Sequence, residues 1–319
     1  MKRPLKLSIK TLILSLFIFA ILGTFIGSIG SLFSSMIVSK NTLEDNYLIE
    51  NRYYAQKLAT TTDALFINMF KSLTMETKKE IYLTSEPNAI QKELVQTLAS
   101  TSFFNSIYYL DQTGHIIASA PEMGLAGTKI SRIGAKEALD RKVPLISKPY
   151  VGVTKNLILL VSVPVFDHNG VYKGFIGGTI YLHEENSLKK VLGQHPKHGN
   201  NSYVFVVDSE GNIIYHPEKS RINDNVIENK VVQKALKGQS GYEETVNTRG
   251  ISMLAGYAST SSSSKWGIVS QTPKDAVIKP AIDMAKQVSI IAIPFMIFVF
   301  LLSLFMLKKI VNPIRNLAI

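Results

Sequence analysis

The sequence predicts an α+β chain: a long N-terminal stalk helix, then two tandem antiparallel-sheet modules, with a transmembrane helix on either side. Three observations predict it. Two long runs carry no charged residue, and a stretch of helical periodicity without Gly or Pro follows the first. A hairpin, helix, hairpin order then occurs twice.

The chain has 319 residues. Thr11 to Ser39 holds no charge between Lys10 and Lys40, and Leu12 to Val38 is rich in Leu, Ile and Phe. As a helix it rises roughly 40 Å, against a hydrocarbon core of about 30 Å. Gln287 to Leu307 is a second uncharged run between Lys286 and Lys308, and ~20 residues suffice to span. Pro294 inside it is tolerated in a membrane helix. The spans are therefore placed at 11–39 and 287–307. Lys2, Arg3, Lys6 and Lys10 precede the first, and Lys308, Lys309 and Arg315 follow the second, with no Asp or Glu at either end. The positive-inside rule puts 1–10 and 308–319 in the cytoplasm and 40–286 outside, in a multi-pass protein of the plasma membrane. The first run exceeds the ~7–15 apolar residues of a signal peptide and no A-x-A site follows it, which argues against a cleaved leader.

The formal charge of +11 does not indicate nucleic acid. Much of it is the seven flanking residues just named, and the rest is scattered over the outer segment without a basic block. The chain has no cysteine, which excludes disulfides, thiolate zinc sites and thiol catalysis.

Within the outer segment, Asn41 to Tyr82 reads as one helix. Apolar residues recur at Leu43, Tyr47, Tyr54, Leu58, Leu65, Ile67, Phe70 and Leu73. Pro87 opens a second helix, Asn88 to Ser100. Ser106 to Leu110 and His115 to Ser119 form a hairpin around Asp111-Gln-Thr-Gly114, since Asp bonds its own turn and Gly supplies the positive φ. A helix follows at Gly134 to Lys142, then strands Leu157 to Phe166 and Tyr172 to Leu182 around Asp167-His-Asn-Gly170. The order returns as Tyr203 to Val207, Asp208-Ser-Glu-Gly211 and Asn212 to Tyr215. Next come helix Lys230 to Lys237 and strands Ser252 to Ser259 and Trp266 to Thr272. The repeat is about 95 residues long. His195 to Ser202 reads as the linker between its halves, and Pro273 to Lys286 as a helix entering the second span.

This order resembles a double Cache sensor domain, the extracytoplasmic part of many bacterial chemoreceptors, histidine kinases and diguanylate cyclases. The resemblance rests on the long first helix, Ile107 to Ile117, Ile146-Ser-Lys-Pro-Tyr150, Val161 to Gly170, Gly174 to Leu182, Val204 to Pro217 and Trp266-Gly-Ile-Val269. It implies two PAS-like modules: a membrane-distal one at 100–182 that holds the ligand and a proximal one at 200–272 that transmits. Lys309 to Leu317 is similar to the opening of a HAMP linker, with Pro313 in the expected place. The family analogy also implies a homodimer through the first helix, in contact with the lipid bilayer at both spans.

In the amino-acid-binding members, the resemblance implies an R-x-W-Y-x-x-A run, a Tyr and an Asp after the I-S-x-P element, and an Asp on the last strand. Here Arg132, Ala138 and Tyr150 keep the pattern. Gly134 and Ala135 stand at the Trp and Tyr positions, Gly152 at the first Asp and Thr179 at the second. An Arg pairs bidentately with a carboxylate, whereas a ligand ammonium has no counter-ion left. The expected ligand is a small organic carboxylate held by Arg132, with Lys148, Tyr150 and Thr179 contributing. The alternative is that Arg132 is a surface residue.

Other motifs carry less. His195 and His198 flank a Pro in the linker without a carboxylate ligand set, a poor metal site. Asp208-Ser-Glu-Gly-Asn212 lacks the rest of a calcium loop. Gly174, Gly177 and Gly178 lie on a strand and open no helix, so close packing is their expected role. Gly23 and Gly27 form a G-x-x-x-G, either a helix-packing face or ordinary membrane glycines. Neither a cofactor site nor a nucleophile, base and oxyanion set emerges, and the serines 261–264 form a turn. The expected function is transmembrane signalling without catalysis of its own, any enzyme module lying beyond residue 319. A kinase or cyclase output, a chemotaxis output and an output-less anchored protein all stay open.

Overall fold

The computed structural model describes residues 9–84, 86–193, 201–261 and 265–316. The chain divides into two compact units. One comprises Met1–Asn46 with Asp275–Ile319 and the other Tyr47–Lys274.

The terminal unit is helical. It contains the first part of α1 (Ile9–Thr77) and nearly all of α7 (Lys274–Asn316). Both are long and apolar enough to cross a membrane. Phe19, Phe33, Ile291 and Phe298 are among many exposed apolar side chains there. The helix expected at Asn41 is continuous with the first apolar run, because no Gly or Pro separates them. α7 likewise runs unbroken through Pro280 and Pro294. A Cβ added at Gly23, Gly27 or Gly30 would meet nothing within 4 Å.

The central unit is α+β, as its periodicity predicts. After α1 come α2 (Ile81–Thr84) and α3 (Pro87–Ser100). The first sheet is built from β1 (Ser106–Asp111), β2 (Ile116–Ala120), β3 (Leu145–Ile146), β4 (Tyr150–Val151), β5 (Leu157–Phe166) and β6 (Tyr172–Tyr181). The helix α4 (Ile133–Arg141) is inserted between β2 and β3. After α5 (Ser187–Leu192), the second sheet takes β7 (Tyr203–Val207), β8 (Ile213–Tyr215), β9 (Gly241–Val246), β10 (Ser252–Ser259) and β11 (Gly267–Pro273). Here α6 (Lys230–Leu236) precedes β9. The strand orders are β2-β1-β6-β5-β3 and β8-β7-β11-β10-β9, so the repeat is one of topology: in each sheet the first and last strands pair at the centre.

The turns repeat with equal fidelity. Asp111 Oδ1 accepts from the amides of Thr113 and His115 at 2.8 and 2.9 Å. Asp208 Oδ1 accepts from Glu210 and Asn212, both at 2.9 Å, and Asp167 Oδ1 from Asn169 and Val171, also at 2.9 Å. Gly114 and Gly211 follow at φ +90° and +84°, where a side chain would be strained. Asn247 makes the same turn between β9 and β10, accepting from Arg249 and Ile251.

Both faces of each sheet are covered, so strand residues of either parity are buried. Ile107 and Tyr109 join α1 and α3 in a core that also holds Leu58, Phe66, Met69, Leu73, Val206 and Trp266. Phe66 meets Trp266 edge-on at 4.7 Å. Tyr108 and Leu110 instead face a smaller core with Ala135 and Ala138 of α4, and Phe205 and Val207 face one with Val231 and Ala235 of α6. Ile67, expected in the helix stripe, is exposed. Phe66 beside it is buried in its place, one helical step of about 100° away.

Several elements differ from the expected ones: the helix expected to reach Tyr82 ends at Thr77, α2 is a separate turn, and the two-residue strands β3 and β4 are additional. β9 was not anticipated, because it is an edge strand whose Tyr242, Glu244 and Val246 face solvent, which leaves no apolar alternation to read. α5 is a short helix capped by Asn186, whose side chain accepts from Lys189 N at 2.8 Å. β11 begins at Gly267, one residue after the expected Trp266. Most of the linker His195 to Ser202 lies outside the described residues, as do Ser262 to Ser264 and Leu317.

Candidate functional site

Between the first sheet and the loop before α4 lies a cavity with about 420 Å³ of space free of protein atoms, its mouth included. Its floor is the centre of the sheet. Ser106 and Tyr108 of β1 alternate onto this face, and Thr179 and Tyr181 of β6 lie beside them, with Ser106 directly paired to Thr179. The walls are apolar: Ile116, Met123, Leu125, Ile130, Val153 and Ile158.

The floor is a neutral hydroxyl cluster. Ser106 Oγ and Thr179 Oγ1 are 2.5 Å apart, and Tyr181 OH donates to Ser106 Oγ at 3.3 Å. Tyr108 and Tyr150 both present their phenols to the cavity. Burial pushes the Tyr150 phenol up to about 12, with the neighbouring Tyr108 hydroxyl working against that rise. Burial, then Tyr150, push the Tyr108 phenol up further. Both are neutral donors over the physiological range.

Among the described residues Arg132 is the one charged residue lining the cavity. It occupies the N-cap of α4 in an extended conformation, with no capping hydrogen bond. A cation there opposes the helix dipole, and Arg is not a capping residue, so helix formation does not account for it. Arg132 is exposed, as the alternative reading has it, and among the described residues its guanidinium has no ion-pair or hydrogen-bond partner.

Three of the four expected residues, Arg132, Tyr150 and Thr179, come together here. Lys148 does not. Its ammonium pairs with Glu210 at the turn between β7 and β8, and it is absent from the lining. Tyr150, two residues on, turns inward and is buried. Gly134 explains that placement. A Cβ on it would lie 2.2 Å from Tyr150 Cε1, so the Tyr150 ring occupies the space beside α4 that a larger residue would claim. Gly152 lines the wall in the turn before β5, where its amide donates to Asn156 O at 2.9 Å. Sequence reading missed Ser106, Tyr108 and Tyr181. The available signal was alternation: 106 and 108, and 179 and 181, are each two apart on strands bounded by recognisable turns.

The strand glycines serve packing. A Cβ at Gly178 would strike the Phe104 ring at 2.4 Å, and one at Gly177 would meet Leu160 at 2.7 Å. Among the described residues no group of three or more His, Asp or Glu is placed to hold a metal. His195 and His198 lie outside those residues.

No curated protein matches the chain by sequence. Among solved structures, the periplasmic sensory domain of the Campylobacter jejuni chemoreceptor Tlp1 superposes with TM-score 0.61 at 19% identity, covering 75% of this chain and 99% of that one. The ligand-binding domain of the Pseudomonas fluorescens chemoreceptor CtaA, in complex with L-serine, gives 0.56 at 22% identity, covering 72% and 97%. An extracellular ligand binding receptor from Desulfohalobium retbaense gives 0.58 at 16% identity over 68% of this chain, which spans only 39% of that receptor. The model of the Cache domain family (dCache_1) matches residues 37–281. Two sheets of one topology joined to a long helix agree with that match, and the chain belongs to the Cache domain family, holding a double Cache sensor domain of the kind found in bacterial receptors.

Proposed function

We propose that this chain is the sensing portion of a transmembrane receptor whose first-sheet cavity binds a small organic carboxylate through Arg132. The observation that carries the reading is the pairing of one unpartnered guanidinium with a floor of neutral hydroxyls. The carboxylate pairs with Arg132, and the hydroxyls of Thr179, Ser106 and Tyr150 receive the rest of the ligand. CtaA was solved with L-serine, which carries an ammonium as well. Among the described residues this cavity offers no carboxylate to such a group, since no Asp or Glu lines it. A desolvated ammonium without a counter-ion is costly, so carboxylates lacking an amine are favoured. Lys148, held by Glu210, has no part in this reading.

The wider reading places residues 40–286 outside the membrane, with both ends in the cytoplasm. Binding reaches a cytoplasmic output through α1 and α7, and two copies pair through α1. Ligand must favour one arrangement of the domain over another for anything to be transmitted.

The test is calorimetric titration of the full chain in lipid nanodiscs with acetate, propionate, succinate and L-serine. Arg132→Ala is expected to weaken the best carboxylate about ten- to hundredfold, the worth of a charge-assisted hydrogen bond. Unchanged affinity in that variant, or tighter binding of L-serine than of any carboxylate, would sink the proposal.

A further inference from the structure

The second sheet carries a cavity of its own, lined by Tyr203, Phe205, Ile213, His216, Arg221 and Gln271 among others. About 280 Å³ of space within it is free of protein atoms, its mouth included. It is the counterpart of the first, one repeat later. Tyr203 pairs with Gln271 as Ser106 pairs with Thr179. Val226 N donates to Gly211 O as Ile130 N donates to Gly114 O, and Val226 and Ile130 line their respective cavities.

The two cavities share a frame and differ in chemistry. Where the first has a hydroxyl at Thr179, the second has an amide at Gln271. Gln271 is 1% exposed, and its Oε1 is buried without a hydrogen-bond partner. A buried acceptor left unpaired is destabilising, so its retention points to a donor that reaches it. His216 is also buried, its ring edge-on to Tyr203 at 5.2 Å. Its Nδ1 lies 3.0 Å from the amide of Glu218 and 3.2 Å from the carbonyl of the same residue, accepting from the one or donating to the other according to the tautomer. Arg221 Nε is bound to Asp224 at 2.7 Å, and its terminal amino groups have no partner among the described residues. Among the described residues no carboxylate lines the cavity.

We infer that the second-sheet cavity is a separate binding site for a small hydroxy acid, its carboxylate taken by the terminal amino groups of Arg221 and its hydroxyl donated to Gln271 Oε1. A group that seeks an anion and one that seeks a donor are what a hydroxyl next to a carboxylate satisfies. A plain carboxylate leaves Gln271 unpaired. The site is independent of Arg132 and would let one chain respond to two ligands.

The experiment titrates the full chain in nanodiscs with L-lactate, glycolate and propionate. Wild type, Arg132→Ala, Gln271→Met and the double variant are compared. Arg132→Ala is expected to keep saturable binding of L-lactate or glycolate that adding Gln271→Met weakens at least tenfold. Propionate, which lacks the hydroxyl, is expected to bind that remaining site at least tenfold more weakly. If the lactate binding left in Arg132→Ala survives the addition of Gln271→Met, or if Arg132→Ala abolishes binding of both hydroxy acids, the inference is overturned. If neither binds wild type, it is overturned as well. Should Arg132→Ala change nothing while Gln271→Met removes hydroxy-acid binding, the first-cavity reading fails and this one stands. The unliganded melt gives a second reading. Removal of an unpaired buried acceptor is expected to leave the melting temperature of Gln271→Met unchanged or higher. A clear fall would mark Gln271 as a structural residue and refute the assignment.

Discussion

Replacing Gly256 with alanine is expected to loosen the contact between α1 and the second sheet. Gly256 sits in β10 where α1 crosses it. An added Cβ would lie 2.0 Å from Arg52 N, 2.1 Å from Asn51 C and 2.5 Å from Arg52 Cα. These are backbone atoms of a helix, and no rotamer change relieves them. Restoring ordinary contact demands a separation of more than about 1 Å, which overpacking data price at roughly 1–3 kcal/mol. The same shift pulls on Asn51, which is 5% exposed. Its Nδ2 donates to Leu254 O at 2.9 Å and Thr272 Oγ1 at 3.1 Å, and its Oδ1 accepts from Ser270 Oγ at 2.6 Å. Losing two of these at about 1 kcal/mol each brings the total to roughly 3–5 kcal/mol. For a unit of this size that is a drop of about 6–20 °C in Tm. Thermal melts of the full chain in nanodiscs, followed by circular dichroism, measure it. Asn51→Ala should lower Tm by itself, and the double variant should lose less than the sum, because both changes break one contact. A fall of less than about 2 °C in Gly256→Ala would refute the reasoning.

Two further outcomes are expected. Gly134→Ala forces the buried Tyr150 ring away from α4, so carboxylate affinity should fall at least tenfold and Tm should fall with it, overpacking costing roughly 1–3 kcal/mol; titration and a melt check both. His216 has its pKa lowered by burial first and then by the Arg221 charge, with Glu218 opposing and Arg249 adding to the fall. Its contribution to stability is complete above the unfolded-state value of about 6.5 and is lost as pH falls through the lower folded-state value. Between pH 7.5 and pH 5 the wild type should therefore lose more Tm than His216→Gln, and equal losses would show that His216 does not titrate with unfolding.

The long elements were legible because their causes are local. An uninterrupted helical run, Pro87 at the first turn of α3, and three Asp-x-x-Gly turns each act over a few residues. The fourth turn, at Asn247, carries the same signal with Asn for Asp and was passed over because β9 before it shows no apolar face. The stalk stripe was read from spacing alone. That reading took Ile67 as inward where Phe66 is, since a helix packed across two sheets buries a face whose direction the partners choose.

By itself, the sequence determined the fold class, the two apolar helices, the repeat and most strand limits, all of which follow from periodicity and turn chemistry along the chain. Only the tertiary structure decided the sites. It brought Arg132, Tyr150 and Thr179 around one cavity and turned Lys148 out to Glu210. It also placed Gln271 in a second cavity, where nothing in its neighbours along the chain marks it. The physical reason is that a strand residue's surroundings are set by pairing and by what covers each face. Ser106 meets Thr179, and Tyr203 meets Gln271, across separations that no local pattern spans.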